Sequence, residues 1–478
     1  MERHILSKST FIRGSQCLKS LYLNKKRPYL RDKISDSKRA IFKRGTDIGV
    51  IARDLFPGGI DLSPRSPSQY QRKVLETTEI IRQGKNKILY EAAFQYSQML
   101  ILLDILVKQD GLWIAYEVKS SLSITPTFLL DAAFQYYIMK NSGFAPEAFY
   151  LVYINENYIK KGEINLNGFF LKKNILPEII QMEDYIIKLI EKEKAVLKLN
   201  SSPDIPVGEQ CDTPYTCDFK GHCWKKIPET SILYMDAFDN SFKFEWWKKY
   251  GNKLDGISKF ISTKKQYAQI YSSSHKELYV DKNGLNSYLE KINNNYPVFS
   301  VLFIMPAMPV FENTKPYQLI PVGFSLNYPG INKTDIVLTI DHQNPILYFI
   351  EKFRKALLKH EKLISYDSKY LIRFFDENHE KKNFISKDTI ISLSEVLKIP
   401  YIYHYKIKGD YSEKHISSLL LNMENKNLDN SLLSMNWFIN KLREENCDSL
   451  KKQSENYLKH IANFTNEFYK FIEAQSYS

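Results

Sequence analysis

The chain lacks a hydrophobic segment long enough to cross a lipid bilayer, which needs roughly 20 consecutive apolar residues. Apolar residues make up 44% of its 478 residues, but they occur in short periodic runs. A secretory signal is also missing, because residues 1–4 lead directly into polar sequence. These absences argue against a membrane or secreted protein. They predict a soluble, cytoplasmic protein of two or three globular domains with no membrane partner.

Acidic residues are fewer than basic ones, 54 against 67, and the formal net charge is +13. An excess of Lys and Arg suits a polyanionic partner, because cations that neutralise phosphates release bound counterions. Biased codon usage is an alternative source of the many lysines, so the charge alone does not decide for nucleic acid. The sequence has no internal repeat and no low-complexity tract.

Cysteine is scarce, and five cysteines in a cytosolic chain argue against a disulfide framework. Cys17 lies near the N-terminus, whereas Cys211, Cys217 and Cys223 form a triplet with a spacing of six residues. Four thiolates suffice for a 4Fe–4S cluster or for structural zinc. The Cys-x(2–4)-Cys pairs typical of zinc are missing, which favours the cluster, and plain buried thiols are the third alternative. Cys447 lies far from the others and is expected to be an ordinary thiol.

The most informative stretch is a predicted β-hairpin over residues 99–120. Two strongly β-forming runs flank Asp110-Gly111, a pair that favours a two-residue type I′ turn. With that turn, Asp104 lies directly opposite Glu117, and Lys119 follows on the same face of the sheet. Like charges that face each other destabilise a sheet, so a positive group, most simply a divalent cation, is expected between them. The other face is predicted to be buried and consists of Ile101, Leu103, Ile105, Val107, Leu112, Ile114, Tyr116 and Val118.

The remaining pattern predicts a mixed α/β fold in two parts. Around the hairpin we expect a strand at 87–94, helices at 128–140 and 176–199, and a strand at 148–154. A second α/β pattern begins near residue 296. The expected domains are a first α/β domain over 1–228, a helical aromatic connector over 229–290 and a second α/β domain over 291–478.

Asp104, Glu117 and Lys119 are the residue types that phosphodiester hydrolysis requires. Carboxylate oxygens hold Mg²⁺ or Mn²⁺, which polarises the phosphate and lowers the pKa of bound water. A nearby lysine positions or deprotonates that water and offsets the charge of the transition state. The alternative interpretation is that Lys119 simply forms an ion pair with one carboxylate at a sheet edge.

The order Asp104, Glu117-x-Lys119 resembles the PD-(D/E)xK nuclease superfamily, and its surroundings resemble the RecB-like branch. Glu91 lies on the preceding strand, and Gln135 and Tyr137 lie on the helix that follows. The resemblance implies these roles: metal ligands Asp104, Glu117, Asp47 and Glu91; catalytic residues Asp104, Glu117, Lys119 and Gln135; substrate-binding residues Gln135 and Tyr137.

One position of that pattern differs in this chain. Thr46 stands where the family often has a metal-binding histidine, which leaves Asp47 beside it as the candidate fourth ligand. A solvated helix residue is the alternative interpretation of Asp47. For Gln135 and Tyr137 the alternative is ordinary packing of a helix.

Cys17 and the cysteine triplet enclose the nuclease-like region. This arrangement resembles the iron–sulphur branch of RecB-like nucleases, which includes the CRISPR-adaptation nuclease and the AddAB nuclease subunit. In those proteins the cluster ties the two ends of the domain together.

The segments at 6–9, 55–59, 133–137 and 221–224 also resemble one bacterial protein family. Its members add a C-terminal ribonuclease-H-like domain of the DnaQ exonuclease type.

The C-terminal part departs from the exonuclease pattern. Where the resemblance implies an Asp-x-Glu metal pair, the sequence has Ser300 and Leu302. Where a final aspartate is expected, it offers only Ser454 or a misplaced Glu455. A two-metal mechanism lacks its ligands without these carboxylates, so we expect a catalytically inactive module.

The aromatic and basic stretch 242–253 suits either stacking on single-stranded bases or packing against a neighbouring domain.

The resemblance implies a Mg²⁺- or Mn²⁺-dependent deoxyribonuclease with a structural 4Fe–4S cluster. Its expected substrate is single-stranded DNA or DNA ends, and RNA is a weaker alternative. The alternative from another class is a non-catalytic nucleic-acid-binding or assembly component of a DNA-repair or phage-defence complex. Either function is compatible with a protein partner in such a system.

Overall fold

The structure, a computed structural model, describes residues 5–85, 87–292, 295–328, 333–378, 389–423 and 448–477. The chain divides into two compact units, Met1–Lys225 and Lys226–Ser478. This boundary lies close to the residue 228 expected from the sequence, and residues 229–290 belong to the second unit. Within the described ranges, none of the helices combines the length and apolarity that a membrane span requires.

The first unit alternates helices with strands. Its strands are β1 (Leu6–Ser7), β2 (Ile60–Asp61), β3 (Ile88–Tyr96), β4 (Met99–Gln109), β5 (Leu112–Lys119), β6 (Ala148–Ile154) and β7 (Phe170–Asn174). Its helices are α1 (Lys8–Gln16), α2 (Leu18–Lys26), α3 (Asp36–Ala52), α4 (Tyr70–Gln83), α5 (Pro126–Asn141), α6 (Leu166–Phe169), α7 (Leu176–Ile180), α8 (Glu183–Leu197) and α9 (Lys220–Trp224).

These strands form one mixed sheet in the order β2-β3-β4-β5-β6-β7, with β1 added beside β4. Strands β3, β4 and β5 are antiparallel neighbours, whereas β6 runs parallel to β5 and is reached through α5. Helix α5 is rich in apolar residues and packs on the sheet through Ala132, Ala133 and Phe134. The predicted α/β class is therefore confirmed.

The hairpin has the predicted turn and register. Asp110 and Gly111 have φ angles of 50° and 84°, as a type I′ turn requires, and Ile105 pairs with Tyr116. The prediction that the apolar face is buried throughout was wrong at its turn end. Leu112 is 52% exposed, because it lies next to the turn at the end of the sheet, and Ile114 is half-buried.

A second correction concerns the helix predicted over 176–199. The structure has two helices there, α7 and α8, with a turn at residues 181–182 between them. Glu183 and Asp184 lie in the first turn of α8, where acidic side chains interact favourably with the unpaired N–H groups of a new helix.

The second unit holds a separate five-stranded sheet. The strands described in this unit are β8 (Tyr279–Val280), β9 (Val298–Ile304), β10 (Ile320–Tyr328), β11 (Lys333–Leu338), β12 (Leu363–Ser365), β13 (Ile390–Ser392) and β14 (Ile402–Tyr403). The helices are α10 (Asn240–Tyr250), α11 (Lys264–His275), α12 (Lys282–Leu289), α13 (Pro345–Leu357), α14 (Lys369–Glu377), α15 (Glu395–Lys398), α16 (Glu413–Leu420) and α17 (Asp448–Tyr477).

The order of this sheet is β11-β10-β9-β12-β13, and β8 pairs separately with β14. Strands β9, β10 and β11 are antiparallel, whereas β12 runs parallel to both β9 and β13. Phenylalanines dominate the core between the sheet, α13 and α14; they include Phe299, Phe324, Phe349 and Phe374. Cys447 lies outside the described residues.

Candidate active site

The hairpin carboxylates lie at a fork in the sheet of the first unit. Strand β4 pairs with β5 only from Gln109 back to Ile105, and beyond this point β1 pairs with β4 at Leu100. Asp104 follows the last β4–β5 pair, and its Oδ2 accepts a hydrogen bond of 2.7 Å from the backbone N–H of Val118. The fork thus places the Asp104 carboxylate beside the strand that carries Glu117.

Lys119 is clamped between two carboxylates. Its Nζ donates to Glu117 Oε1 at 2.8 Å and to Asp131 Oδ2 at 2.5 Å. Asp131 lies on α5 and is 6% exposed, so the helix that crosses the sheet supplies the second anchor. We did not identify Asp131 from the sequence, where its only signal is one acidic residue within an otherwise apolar helix, FLLDAAF.

Lys8 supplies the positive group expected between the hairpin carboxylates. Its Nζ lies 2.7 Å from Glu117 Oε1 and 3.8 Å from Asp104 Oδ1. Glu117 is 1% exposed, and its Oε1 accepts hydrogen bonds from the ammonium groups of both Lys8 and Lys119. Lys8 is 109 residues from Glu117 in sequence, and no pattern in the N-terminal segment indicated this contact.

Glu91 and Arg53 complete the charged cluster. Arg53 Nη2 lies 3.3 Å from Glu91 Oε1, and Arg53 Nη1 lies 3.0 Å from Asp61 Oδ2. Glu91 has a φ of 55° in the middle of β3, a left-handed conformation that costs free energy for a residue with a side chain. Such strain recurs at functional sites, and here it lies on the strand next to Asp104.

The pKa values in this cluster diverge because of burial and mutual charge. Burial raises the pKa of Asp104 to about 6, and the Glu117 charge adds to the rise. Burial, together with the Asp104 charge, raises the pKa of Glu91 to about 7. Burial also acts to raise the pKa of Glu117, but Lys119 and Lys8 outweigh it and lower that pKa to about 2. The site thus holds one firmly ionised carboxylate, Glu117, and two that resist ionisation, Asp104 and Glu91. A divalent cation in the site would favour the ionised form of all three.

These side chains line a cavity of about 650 Å³. Its charged lining includes Lys8, Arg53, Glu91, Asp104, Glu117 and Lys119. Helix α3 contributes Gly45, Thr46 and Gly49 to the wall, whereas Asp47 is not part of the lining.

Two predicted substrate-binding residues also lie outside the cavity lining. Gln135 is fully buried in α5, and within the described chain neither atom of its amide group has a hydrogen-bond partner. Tyr137 is half-buried and packs edge-on against Tyr96, with 6.1 Å between the ring centroids. In this conformation the structure therefore brings together Asp104, Glu117, Lys119 and Glu91, but not Asp47, Gln135 or Tyr137.

The chemistry of the donors in this cavity fits a hard divalent cation. Glu117 Oε2 is buried and, among the described residues, has no hydrogen-bond partner. Carboxylate oxygens are the ligands that Mg²⁺ and Mn²⁺ prefer. Nevertheless, no three His, Cys, Asp or Glu side chains of the described chain lie in an arrangement that already forms a metal site.

The four predicted cluster cysteines gather around a second, small cavity of about 20 Å³. Cys17 lies between α1 and α2, and the loop carrying Cys211, Cys217 and Cys223 packs against these helices. Burial raises the pKa of the Cys223 thiol to about 11, and the neighbouring cysteines add to the rise while a lysine opposes it. Four thiols on one cavity fit a soft metal or an iron–sulphur cluster by donor chemistry.

Ion pairs reinforce the junction between the two ends of this unit. Asp218, within the cysteine loop, lies 2.6 Å from Arg13 Nη2 of α1 and 2.5 Å from Lys38 Nζ of α3. The side-chain amide of Gln16 donates to the carbonyl oxygens of Gln210 and Tyr215. The N-terminal helices and the cysteine loop are therefore joined by protein contacts as well as by the cysteine group.

In the second unit the positions where the resemblance implies carboxylates hold buried serines. Ser300 on β9 is 2% exposed and Ser454 on α17 is 1% exposed. Neither hydroxyl has a hydrogen-bond partner among the described residues.

In the aromatic stretch 242–253, Trp246 of α10 is buried in a small core with Phe238 and Ile257, which favours packing over base stacking for that residue.

The chain matches one family model in its second unit. A family model described as "Domain of unknown function (DUF2779)" matches residues 303–412, which lie in the second unit. No curated protein matches the chain. A solved structure titled "Crystal structure of SSO0001" is similar at 15% identity over 48% of this chain and 89% of that chain, with a TM-score of 0.24. A likeness at that TM-score carries no structural argument.

Proposed function

We propose that the first unit is a Mg²⁺- or Mn²⁺-dependent deoxyribonuclease that hydrolyses phosphodiester bonds of single-stranded DNA or DNA ends. One observation carries the proposal: Asp104, Glu117 and Lys119 meet in one cavity at the fork of the hairpin. Lys8 and Arg53 add positive charge to the same cavity, as an anionic substrate requires.

The order of elements supports a PD-(D/E)xK core. Helix α4, the antiparallel strands β3, β4 and β5, the crossover helix α5 and the parallel strand β6 follow one another along the chain. This is the succession that the family resemblance implies. Asp104 and Glu117 lie on the two central strands β4 and β5, and Asp131 of the crossover helix contacts Lys119.

The charges of the cluster suit one divalent ion. Five carboxylates and three basic groups lie close together, which leaves two negative charges when every group is ionised. A divalent ion balances these two charges, which reduces the cost of burying them. The groups are Asp61, Glu91, Asp104, Glu117 and Asp131 on the acidic side and Lys8, Arg53 and Lys119 on the basic side.

Asp104 and Glu117 are the residues that would hold the metal ion, with Glu91 as a further oxygen donor. When bound, the ion supplies Lewis-acid polarisation of the phosphate and a lowered pKa for water. Lys119, fixed by Glu117 and Asp131, is positioned to orient the attacking water and to offset negative charge in the transition state. Arg53 holds Glu91 and faces the cavity, where it attracts the phosphate.

In this proposal Cys17, Cys211, Cys217 and Cys223 hold a structural 4Fe–4S cluster, with zinc as the alternative. The group supplies a covalent link between the two ends of the unit. The protein's own contribution is the junction of α1 and α2 with the cysteine loop, which gathers the thiols on one cavity.

We also propose that the second unit is a ribonuclease-H-like module without catalytic activity. Three antiparallel strands followed by two strands parallel to β9, in the order β11-β10-β9-β12-β13, support that fold. Ser300 and Ser454 at the positions of expected carboxylates support its inactivity, because Mg²⁺ prefers carboxylate oxygens to neutral hydroxyl groups.

The test is a cleavage assay on end-labelled single-stranded DNA with MgCl₂ or MnCl₂. Wild type is compared with Asp104→Asn and Lys119→Met, and Glu79→Gln on the exposed face of α4 is the control. We expect wild type and Glu79→Gln to cleave at equal rates and the two site variants to be inactive. Wild type that leaves single- and double-stranded DNA intact with both metals would falsify the proposal.

One observation favours the second candidate, a non-catalytic nucleic-acid-binding component of a repair or defence complex. Lys8 already neutralises Glu117 and approaches Asp104, so the carboxylates are balanced in part without a metal. Filter binding of labelled DNA in EDTA separates the two functions. Tight binding of DNA without cleavage, unchanged in Asp104→Asn, would favour the binding component.

A further inference from the structure

Lys8 reaches the active site from a segment far from the hairpin in sequence. Strand β1 pairs with Met99 and Leu100 of β4, in the part of β4 that no longer pairs with β5. Lys8 is the next residue after β1. Helix α1 begins at Lys8, and its position is fixed by Phe11, whose ring stacks on Phe134 of α5 at 4.0 Å. Two packed elements therefore hold the ammonium group at the fork.

The contacts of Lys8 differ from those of the other lysine in the site. Lys8 Nζ lies 2.7 Å from Glu117 Oε1, 3.8 Å from Asp104 Oδ1 and 3.4 Å from the carbonyl oxygen of Leu102. It thus approaches both hairpin carboxylates, whereas Lys119 is bound to Glu117 and Asp131. Its side chain is 25% exposed and lines the cavity, so it has room to move.

We propose that Lys8 is a positioning residue, a tethered cation that competes with the divalent metal ion for the oxygens of Glu117 and Asp104. The inference rests on the proposed nuclease function, because it takes these two carboxylates as metal ligands. An ammonium group beside both ligands repels a second cation, and the repulsion is strong where water is largely excluded.

The competition links the metal to the substrate. A phosphodiester in the cavity offers the Lys8 ammonium another anion, which frees the carboxylate oxygens for the metal ion. Metal and DNA therefore bind cooperatively, and the carboxylates remain paired and ordered when neither is bound. Lys8 acts through Glu117 and Asp104 rather than on the reacting atoms.

The first test is titration with MnCl₂, followed by the electron paramagnetic resonance signal of free Mn²⁺. We expect Lys8→Met to bind Mn²⁺ about tenfold more tightly than wild type, because one repelling charge is removed. Lys8→Arg keeps the charge and should bind Mn²⁺ no more tightly than wild type. Lys140→Met, which removes an exposed lysine of α5, is the control and should not change the affinity.

Circular dichroism first establishes that each variant is folded, and Lys8→Gln replaces Lys8→Met if the latter is not. Unchanged or weaker Mn²⁺ binding in a folded, uncharged Lys8 variant overturns the proposal. Cleavage of DNA by the same wild-type preparation, measured alongside, would show that the nuclease function stands although the Lys8 role fails. Tighter Mn²⁺ binding in Lys8→Met combined with an inactive wild type would support the Lys8 role and reject the nuclease.

A second measurement needs no variant. Lysines of wild-type protein are acetylated with a low dose of acetic anhydride, with and without MnCl₂, and modification is quantified by mass spectrometry. Release of Lys8 from its ion pairs should increase its modification several-fold on addition of Mn²⁺, while Lys140 stays constant. Equal modification of Lys8 under both conditions contradicts the competition.

Discussion

Lys8 and Cys17 lie at opposite ends of the same helix. Helix α1 begins at Lys8 and ends at Gln16, and Cys17 is its C-cap residue. Its nine residues span about 14 Å, so one rigid element joins the active-site cavity to the cysteine cavity. Glu193 of α8 packs against Gly14 of the same helix, close to its C-terminal end. Any group that orders Cys17 therefore also stabilises the position of Lys8.

Glu117 is predicted to be important for stability as well as for activity. Glu117→Gln removes the charge of the shared acceptor of Lys8 and Lys119 and leaves two partly buried cations with a weaker partner. We expect a loss of about 3 kcal/mol in the free energy of unfolding of the first unit, measured by urea denaturation. Glu79→Gln, which breaks an exposed ion pair with Arg82, should leave the midpoint unchanged. Equal stability of Glu117→Gln and wild type would contradict this account.

Asp131 is predicted to position Lys119 without binding the metal. Asp131→Asn keeps the shape of the side chain but removes the charge that holds the Lys119 ammonium at 2.5 Å. We expect the cleavage rate to fall about 10- to 100-fold with Mn²⁺ affinity unchanged. Glu183→Gln, which breaks an exposed ion pair with Lys140, is the control and should retain full activity. A matching loss of Mn²⁺ affinity in Asp131→Asn would instead make Asp131 a ligand.

Glu193 is predicted to make stability depend on pH. It is fully buried, neither carboxyl oxygen has a hydrogen-bond partner among the described residues, and burial raises its pKa to about 9. The folded state then holds a proton that the unfolded state releases, so stability falls by about 1.4 kcal/mol per pH unit between the ordinary pKa and the raised one.

The corresponding variant is Glu193→Gln, a neutral side chain of the same shape. Urea denaturation at pH 4 and pH 8 should show nearly equal stability of variant and wild type at the lower pH and greater stability of the variant at the higher pH. A wild type that loses no stability relative to Glu193→Gln over this range would show that Glu193 has an ordinary pKa.

The cysteine group is predicted to contain iron. Protein purified without oxygen should be brown, with broad absorbance near about 400 nm, as iron bound by thiolates gives. Cys17→Ser should lose most of the iron and the colour, whereas Cys447→Ser should keep both, because Cys447 lies far from the other four cysteines in the sequence. Stoichiometric zinc in the purified protein, without iron, would contradict this prediction and show that the four cysteines form a zinc site.

All cleavage is predicted to come from the first unit. In the second unit Ser300 and Ser454 stand where the resemblance implies carboxylates of a two-metal site, so Asp104→Asn should abolish hydrolysis of both single-stranded DNA and DNA ends. Release of nucleotides from 3′ ends by Asp104→Asn, at a rate near that of wild type, would show that the second unit is active.

Local patterns in the sequence determined much of the first unit. The Asp110-Gly111 turn and the two-residue period of the strands fixed the register that places Asp104 near Glu117. Helix α5 and strand β6 were also predictable, within two residues, from apolar periodicity. These features depend on interactions between residues close in sequence, which a pattern reports directly.

Tertiary structure alone decided which further side chains meet at the hairpin. Lys8 reaches Glu117 from 109 residues away, and Arg53 reaches Glu91 from a helix-to-strand connection 38 residues upstream. The same packing of α5 that brings Asp131 to Lys119 buries Gln135 away from the cavity. Such contacts depend on how helices pack on the sheet, and a single sequence carries no period or spacing that records them. The sequence thus determined a pair of carboxylates in need of a positive partner, and the packing of α1 decided that Lys8 lies beside them.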